Sequence, residues 1–215
     1  MTPDELATRH PVLYHMAEPG SWPSIRRHGL LSATALLDLF GVGRQDRAAL
    51  GCARRPSRVV LRHPALGTAV LRDQKPLSDA ALRSCLVDME PHEWYALLNR
   101  KVFFYPTRAR LARLLGARSY RAGEHTVLTL DTAALLARHV ARTTVASINT
   151  GSTVRRAVAR GPDTFQPLAS YPADEWRQRR LAEVAVEHSV PDVVDLVRRV
   201  ETWQGAHLLH TTELL

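Results

Sequence analysis

The chain has 215 residues, of which 29 are Lys or Arg and 21 are Asp or Glu, so its formal net charge is +8. This length suits one large domain, and no shift in composition marks a boundary within it. Cys52 and Cys85 are isolated in the sequence, which argues against a disulfide framework and a paired-cysteine metal site. The basic excess favours polyanionic partners, of which nucleic acid is the commonest. A GC-rich genome would explain the use of Arg in place of Lys, but not the net excess.

No apolar run approaches the length that is needed to cross a bilayer. The segment that follows Met1 also lacks the basic and apolar regions of a signal peptide. We therefore expect a cytoplasmic protein that does not associate with membranes.

Short helices and strands are predicted to alternate over the first half of the chain. Thr2 and Ser32 are predicted to cap helices, and Gly29 to end one. Residues 12–16 predict the first strand, which carries His15. Residues 41–100 are expected to form a helical insertion, which also contains a hairpin at residues 59–71.

The second half of the chain is predicted to contain most of the strands. Residues 101–106 are the most aromatic stretch and predict a buried strand, after which Thr107 begins an amphipathic helix. The remaining predicted elements are strands at 125–131, 143–149 and 181–188, a final helix from about 191 to 203, and a weak strand or unstructured tail. This order predicts an α+β fold with mainly antiparallel pairing.

Glu183 lies within the predicted strand at residues 181–188. A carboxylate there is unfavourable by β-propensity and costly if buried, unless it meets solvent, a cation or a ligand. Two interpretations stay open. The strand is an edge strand whose Glu183 and Glu187 face water, or one of the two carboxylates faces a cleft and takes part in chemistry.

Three segments, in their order and spacing, resemble the ADP-ribosyltransferase superfamily. Leu13-Tyr14-His15 with the following Gly29-Leu30 is similar to the opening of the DarT-type nucleic-acid ADP-ribosyltransferases. The strand from Val102 to Pro106 with Arg108, and the segment Ala182–Val186 followed by Val190-Pro191, are similar to two further motifs of that family. Glu183 matches the position of the family's catalytic glutamate, whereas Glu187 does not.

The resemblance implies one domain over residues 1–215, with a split antiparallel sheet at its core and short helices around it. It implies NAD as a substrate and no metal. Glu183 would stabilise the positive charge that builds on the ribose when the bond to nicotinamide breaks. Arg108 would contact a phosphate or polarise the acceptor. The residues expected to bind NAD are His15, Tyr14, Phe104, Tyr105, Asn149 and Ser152.

Asn149 and Ser152 also have a simpler interpretation, because the segment Asn149–Ser152 has the composition of an ordinary turn. The expected function is transfer of ADP-ribose from NAD to nucleic acid. Such an enzyme would be toxic if unregulated, which makes an antitoxin protein a candidate partner. One alternative is a non-catalytic nucleic-acid-binding domain, in which arginines contact phosphates and Phe103–Tyr105 stack on bases. Another is an NAD-using enzyme of the same fold that acts on a protein or a small molecule.

Overall fold

The computed structural model describes residues 1–154, 157–178 and 181–214. The segment 155–180, which the sequence predicts to be polar and irregular, therefore lies partly outside the described residues. The helices are α1 Pro3–Arg9, α2 Trp22–His28, α3 Ala33–Leu39, α4 Arg44–Gly51, α5 Asp79–Arg83, α6 Pro91–Asn99, α7 Arg108–Leu115, α8 Thr132–His139, α9 Ala173–Arg177 and α10 Val193–Leu196. The strands are β1 Val12–Ala17, β2 Leu30–Leu31, β3 Val59–His63, β4 Gly67–Leu71, β5 Lys101–Phe104, β6 Glu124–Asp131, β7 Thr143–Ala146, β8 Gln166–Pro167, β9 Glu183–Glu187, β10 Ser189–Val190, β11 Val197–Gln204 and β12 His207–Thr212.

Two four-stranded sheets organise the fold. Their strand orders are β1-β6-β11-β12 and β5-β9-β7-β8, and every pairing within them is antiparallel. The sheets meet where Tyr14 of β1 and Tyr105, the residue after β5, exchange backbone hydrogen bonds of 2.8 and 3.0 Å. The predicted α+β class with antiparallel pairing is confirmed.

The central position of β9 follows from its sequence of small and β-branched apolar residues. Val184 and Val186 belong to the main hydrophobic core, which contains side chains from both sheets. Ala185 faces the other side and packs in a second cluster with Trp94 of α6. Because β9 is flanked by β5 and β7 and buried on both faces, the edge-strand interpretation is wrong.

Thr2 and Ser32 cap the helices that the sequence predicts them to cap. The Thr2 side chain accepts a hydrogen bond from the Glu5 amide, and Ser32 accepts one from the Ala35 amide at 3.1 Å. Gly29 ends α2 with a φ of +82°, and a side chain there would place its Cβ 2.6 Å from the Pro191 Cα. This position therefore requires glycine both for its backbone conformation and for the close approach.

The predicted helix from 191 to 203 is wrong. Only the short α10 is helical, and β11 follows it between β6 and β12. The register of β11 shifts at Val197/Arg199 against β6 and at Thr202/Trp203 against β12. Such irregularities interrupt the alternation of a strand, and they leave Val197, Val200 and Trp203 buried at intervals of three residues. This spacing imitates the period of a helix.

Residues 41–100 combine helices with a hairpin. The segment contains α4, the antiparallel pair β3 and β4, and then α5 and α6. Leu61 and Leu71 of the hairpin pack with Leu37 and Phe40 in a small separate core. Among the described residues, no helix combines the length and apolar character that crossing a membrane requires.

Candidate functional site

A cavity of about 1270 Å³ opens beside the junction of the two sheets. Its walls come from β1, α2, the hairpin strand β4, the end of β5, α7 and the loop after β7. Pockets for small molecules usually measure about 300–1,000 Å³, so this cavity has room for an extended ligand. Glu183, His15, Tyr105, Asn149 and Ser152 all line it.

Glu183 is the first residue of β9 and is held in a fixed orientation. The Thr150 hydroxyl donates to Glu183 Oε2 at 2.6 Å, and the Thr150 amide lies 3.3 Å from both carboxylate oxygens. Only 4% of Glu183 is exposed. Two features position the carboxylate. Glu183 pairs with Ala146 of β7, and the loop after β7 brings Thr150 back to the carboxylate.

The environment of Glu183 changes its acidity. Burial raises the pKa of Glu183 to about 7, although the two Thr150 hydrogen bonds and the positive charges of Arg110 and Arg160 oppose this shift. A buried carboxyl group that changes its charge near neutral pH in a cleft is typical of a functional site.

His15 is neutral and has a defined tautomer. Its Nδ1 donates to the Phe103 carbonyl at 2.8 Å, since a carbonyl oxygen can only accept. Burial lowers the pKa of His15 to about 4, so at neutral pH its Nε2 is an acceptor. Through this hydrogen bond, the His15 ring links β1 of the first sheet to β5 of the second.

Tyr105 and Arg110 complete the surroundings of the carboxylate. Burial raises the pKa of Tyr105, and the charge of Glu183 adds to this increase. Burial lowers the pKa of Arg110, whereas the Glu183 carboxylate offsets part of that change. Arg113 of the same helix and Arg118 after it also line the cavity. These three arginines, which lie on α7 or shortly after it, add positive charge to the lining of the cavity.

Three residues that the sequence assigned to the site do not line this cavity. Phe104 is 0% exposed and lies in the main core, because successive residues of a strand face opposite sides. Phe103 lines the cavity in its place. Tyr14 packs against a third hydrophobic cluster, and the guanidinium of Arg108 lies 4.8 Å from the centre of the Trp203 ring.

Sequence reasoning missed Arg110 and Arg160, and it placed Thr150 in a turn that could offer donors to NAD without connecting it to Glu183. Thr150 stands in a turn of ordinary composition, and nothing in the sequence shows that it contacts Glu183. Arg160 is buried and donates from Nη1 to the Thr150 carbonyl at 3.1 Å. Arg110 follows Arg108 by two residues, which places the two side chains on different faces of α7. The helical period of α7 is therefore the signal that distinguishes the two arginines.

The residues that the structure describes contain no group of three His, Cys, Asp or Glu side chains arranged to hold a metal ion.

Comparison with curated proteins and with solved structures gives no match. The model of a family of unknown function, DUF7002, matches residues 11–197. The matched segment covers most of the 215 residues. It contains Glu183, Thr150, His15 and Tyr105. By this match, the chain belongs to the DUF7002 family.

Proposed function

We propose that this protein is an NAD-dependent ADP-ribosyltransferase. The observation that carries the proposal is the buried Glu183 carboxylate, which Thr150 holds at the wall of a cavity that His15, Tyr105 and Arg110 share. The two antiparallel sheets that join at Tyr14 and Tyr105 also support it, because the superfamily that the sequence resembles has a split antiparallel sheet.

The cavity residues fit NAD by their chemistry. Arg110, Arg113 and Arg118 provide donors for the pyrophosphate, a task suited to guanidinium groups. The Nε2 of His15 accepts a hydrogen bond from a ribose hydroxyl. Phe103 and Tyr105 offer aromatic faces to the nicotinamide ring. NAD supplies the ADP-ribosyl group and a leaving group, nicotinamide.

Glu183 would perform the catalytic role. When the bond between nicotinamide and ribose breaks, positive charge builds on the ribose, as in glycoside cleavage. A carboxylate that is already oriented stabilises this charge without reorganisation. Glu183 can also accept a proton from the acceptor, since its pKa of about 7 suits proton transfer at neutral pH.

The acceptor is inferred from more general features. The net charge of +8 favours nucleic acid, in a cytoplasmic enzyme that an antitoxin protein would restrain. A protein or small-molecule acceptor is the second candidate, because carboxylates line a smaller cavity beside the first: Asp88, Asp163 and Glu175.

The test is release of nicotinamide from NAD by the wild type, Glu183→Gln and Glu187→Gln, with and without short DNA or RNA. We expect Glu183→Gln to lose at least about 100-fold in turnover while its affinity for NAD changes little. Glu187→Gln is the matched control, because Glu187 lies on the same strand but pairs with Lys101 at 2.8 Å. Equal turnover in the wild type and in Glu183→Gln would contradict the proposal.

Calorimetry with NAD separates this function from the non-catalytic alternative. A binding domain for nucleic acid would show no affinity for NAD, and its affinity for oligonucleotides would fall steeply with salt.

A further inference from the structure

Arg160 is a buried cation that lies between β7 and β8, and only 3% of it is exposed. Its Nη1 donates to the Thr150 carbonyl at 3.1 Å, and its Nε donates to the Val158 carbonyl at 3.0 Å. The amide and the hydroxyl of Thr150 in turn contact the Glu183 carboxylate. Arg160 therefore fixes the residue that orients Glu183.

The backbone of Arg160 is anchored to the segment 41–100. The Arg160 amide donates to the Cys85 carbonyl and the Val87 amide donates to the Arg160 carbonyl, each at 2.9 Å. A side chain at Gly161 would place its Cβ 2.5 Å from the Val87 carbonyl oxygen, so only glycine permits this close approach. Backbone contacts thus determine where the Arg160 side chain begins.

An aromatic ring supports the other end of the same side chain. The guanidinium carbon of Arg160 lies 5.7 Å from the centre of the Trp94 ring. Trp94 belongs to α6 and is fully buried. A guanidinium within about 6 Å of an aromatic face is attracted by the quadrupole of the ring. The segment 41–100 therefore contacts the cation as well as its backbone.

Arg160 and Glu183 each affect the acidity of the other. Burial lowers the pKa of Arg160, and Cys85 and Glu183 offset part of this change. Burial raises the pKa of Glu183, and Arg160 is one of the groups that oppose this increase. Arg110 opposes it from α7, and the charge of Glu183 also contributes to the raised pKa of Tyr105, after burial.

We propose that Arg160 is a positioning residue, which acts through Thr150 and keeps Glu183 oriented and charged for the transfer. The inference rests on the proposed function, because it concerns the carboxylate to which that function assigns the reaction. A carboxylate that is already oriented needs no reorganisation, and a nearby positive charge increases its ionised fraction. Since Arg160 is anchored to the segment 41–100, this segment contributes to the site without contacting Glu183.

The first measurement is the ionisation of Glu183 in the absence of NAD. The carbon NMR signal of its carboxyl group, assigned by its absence in Glu183→Gln, is followed as a function of pH. We expect Arg160→Gln to raise the midpoint by at least about 0.5 pH units, because a favourable positive charge is lost. Arg160→Lys keeps the charge and should stay closer to the wild type. Equal midpoints in the wild type and in Arg160→Gln would overturn the inference.

Arg142→Gln is the matched control. Arg142 donates to the carbonyls of Glu187 at 2.7 Å and Ser189 at 3.1 Å, so it also binds backbone oxygens at β9. It does not line either of the cavities described above. Its replacement should leave the midpoint of Glu183 unchanged. A shift as large as that of Arg160→Gln would mean that a general loosening of β9 causes the effect, which would contradict the specific role of Arg160.

Turnover gives a second and separate measurement. We expect Arg160→Gln to lower kcat for nicotinamide release about 10-fold or more and to move its rise with pH to higher pH. The KM for NAD should change less than about threefold, and Arg160→Lys should recover part of kcat. A raised KM with an unchanged kcat would instead assign Arg160 to NAD binding and overturn the positioning role.

The two proposals fail in different ways. Release of nicotinamide that depends on Glu183, with a kcat and a pH profile that Arg160→Gln leaves unchanged, would retain the transferase and overturn the role of Arg160. If no release depended on Glu183 under any condition, the transferase would be contradicted. The NMR midpoints would still decide whether Arg160 controls the ionisation of Glu183.

Discussion

Among single residues, Glu183 links stability to the proposed activity, because both depend on its ionisation. Its pKa is about 7 in the folded protein, against an ordinary value of 4.5 for a glutamate side chain. The folded state therefore holds more protons than the unfolded state between these two values. Stability falls as the pH rises through this window, because the buried carboxyl group must lose its proton. The charged form that the proposed reaction would need is thus also the form that burial disfavours.

We predict that Glu183→Gln becomes more stable relative to the wild type as the pH rises. From the two pKa values, the free energy of unfolding of Glu183→Gln should rise by about 3 kcal/mol relative to the wild type between pH 5 and pH 8. The reason is that glutamine has no charge to bury. Urea unfolding of both proteins at these two pH values measures the difference. A stability difference that is the same at pH 5 and pH 8 would show that Glu183 ionises with an ordinary pKa.

For wild-type turnover, the same ionisation predicts a rise with pH through about 7, where Glu183 loses its proton. Nicotinamide release as a function of pH measures this profile. Turnover that stays constant from pH 6 to pH 8 would exclude Glu183 as the ionised catalytic group.

At the level of elements, α7 shows how a helix separates neighbouring arginines. Arg110 faces the cavity and the Glu183 carboxylate, whereas Arg108 stacks on Trp203. We predict that Arg110→Gln weakens NAD binding about 10-fold or more, the value of a charge-assisted hydrogen bond. Arg108→Gln should bind NAD as the wild type does. Calorimetric titration of both variants with NAD tests this assignment, which the reverse order of effects would contradict.

Local sequence patterns predict most helices and strands. They fail where an irregular strand register interrupts the alternation of buried and exposed residues. Caps and glycines identified α1, α2 and α3, because these determinants act within a few residues. The irregular register of β11 produced the spacing of a helix, so its sequence alone favoured the wrong element. For β5, the aromatic run Val102–Tyr105 predicted a buried strand but not which of Phe103 and Phe104 faces the cavity.

In the whole molecule, the site depends on residues that lie far apart in the sequence. Glu183, His15 and Tyr105 lie on or directly after strands that the sequence identifies, and all three line the cavity. Thr150 and Arg160 have no distinctive motif. Thr150 contacts Glu183, and Arg160 contacts Thr150, because β7 pairs with β9 and the loop after β7 turns back towards Glu183. No local sequence pattern predicts this long-range arrangement.

Surface charge provides the last prediction, which concerns nucleic acid. Arg113 and Arg118 are exposed at the rim of the cavity, where they can contact phosphates of a bound strand as well as those of NAD. Each phosphate contact on a single strand contributes about 0.7 to the slope of log affinity against log salt. We therefore expect the double variant Arg113→Gln/Arg118→Gln to bind single-stranded oligonucleotides more weakly, with a slope reduced by about 1.4.

The matched control for this experiment is Arg138→Gln, since Arg138 already pairs with Asp192 at 2.9 Å and with Asp195 at 2.7 Å. Its slope should equal that of the wild type. Fluorescence anisotropy between about 50 and about 200 mM salt gives all three slopes. If the double variant kept the wild-type slope, Arg113 and Arg118 would not contact the phosphates of nucleic acid.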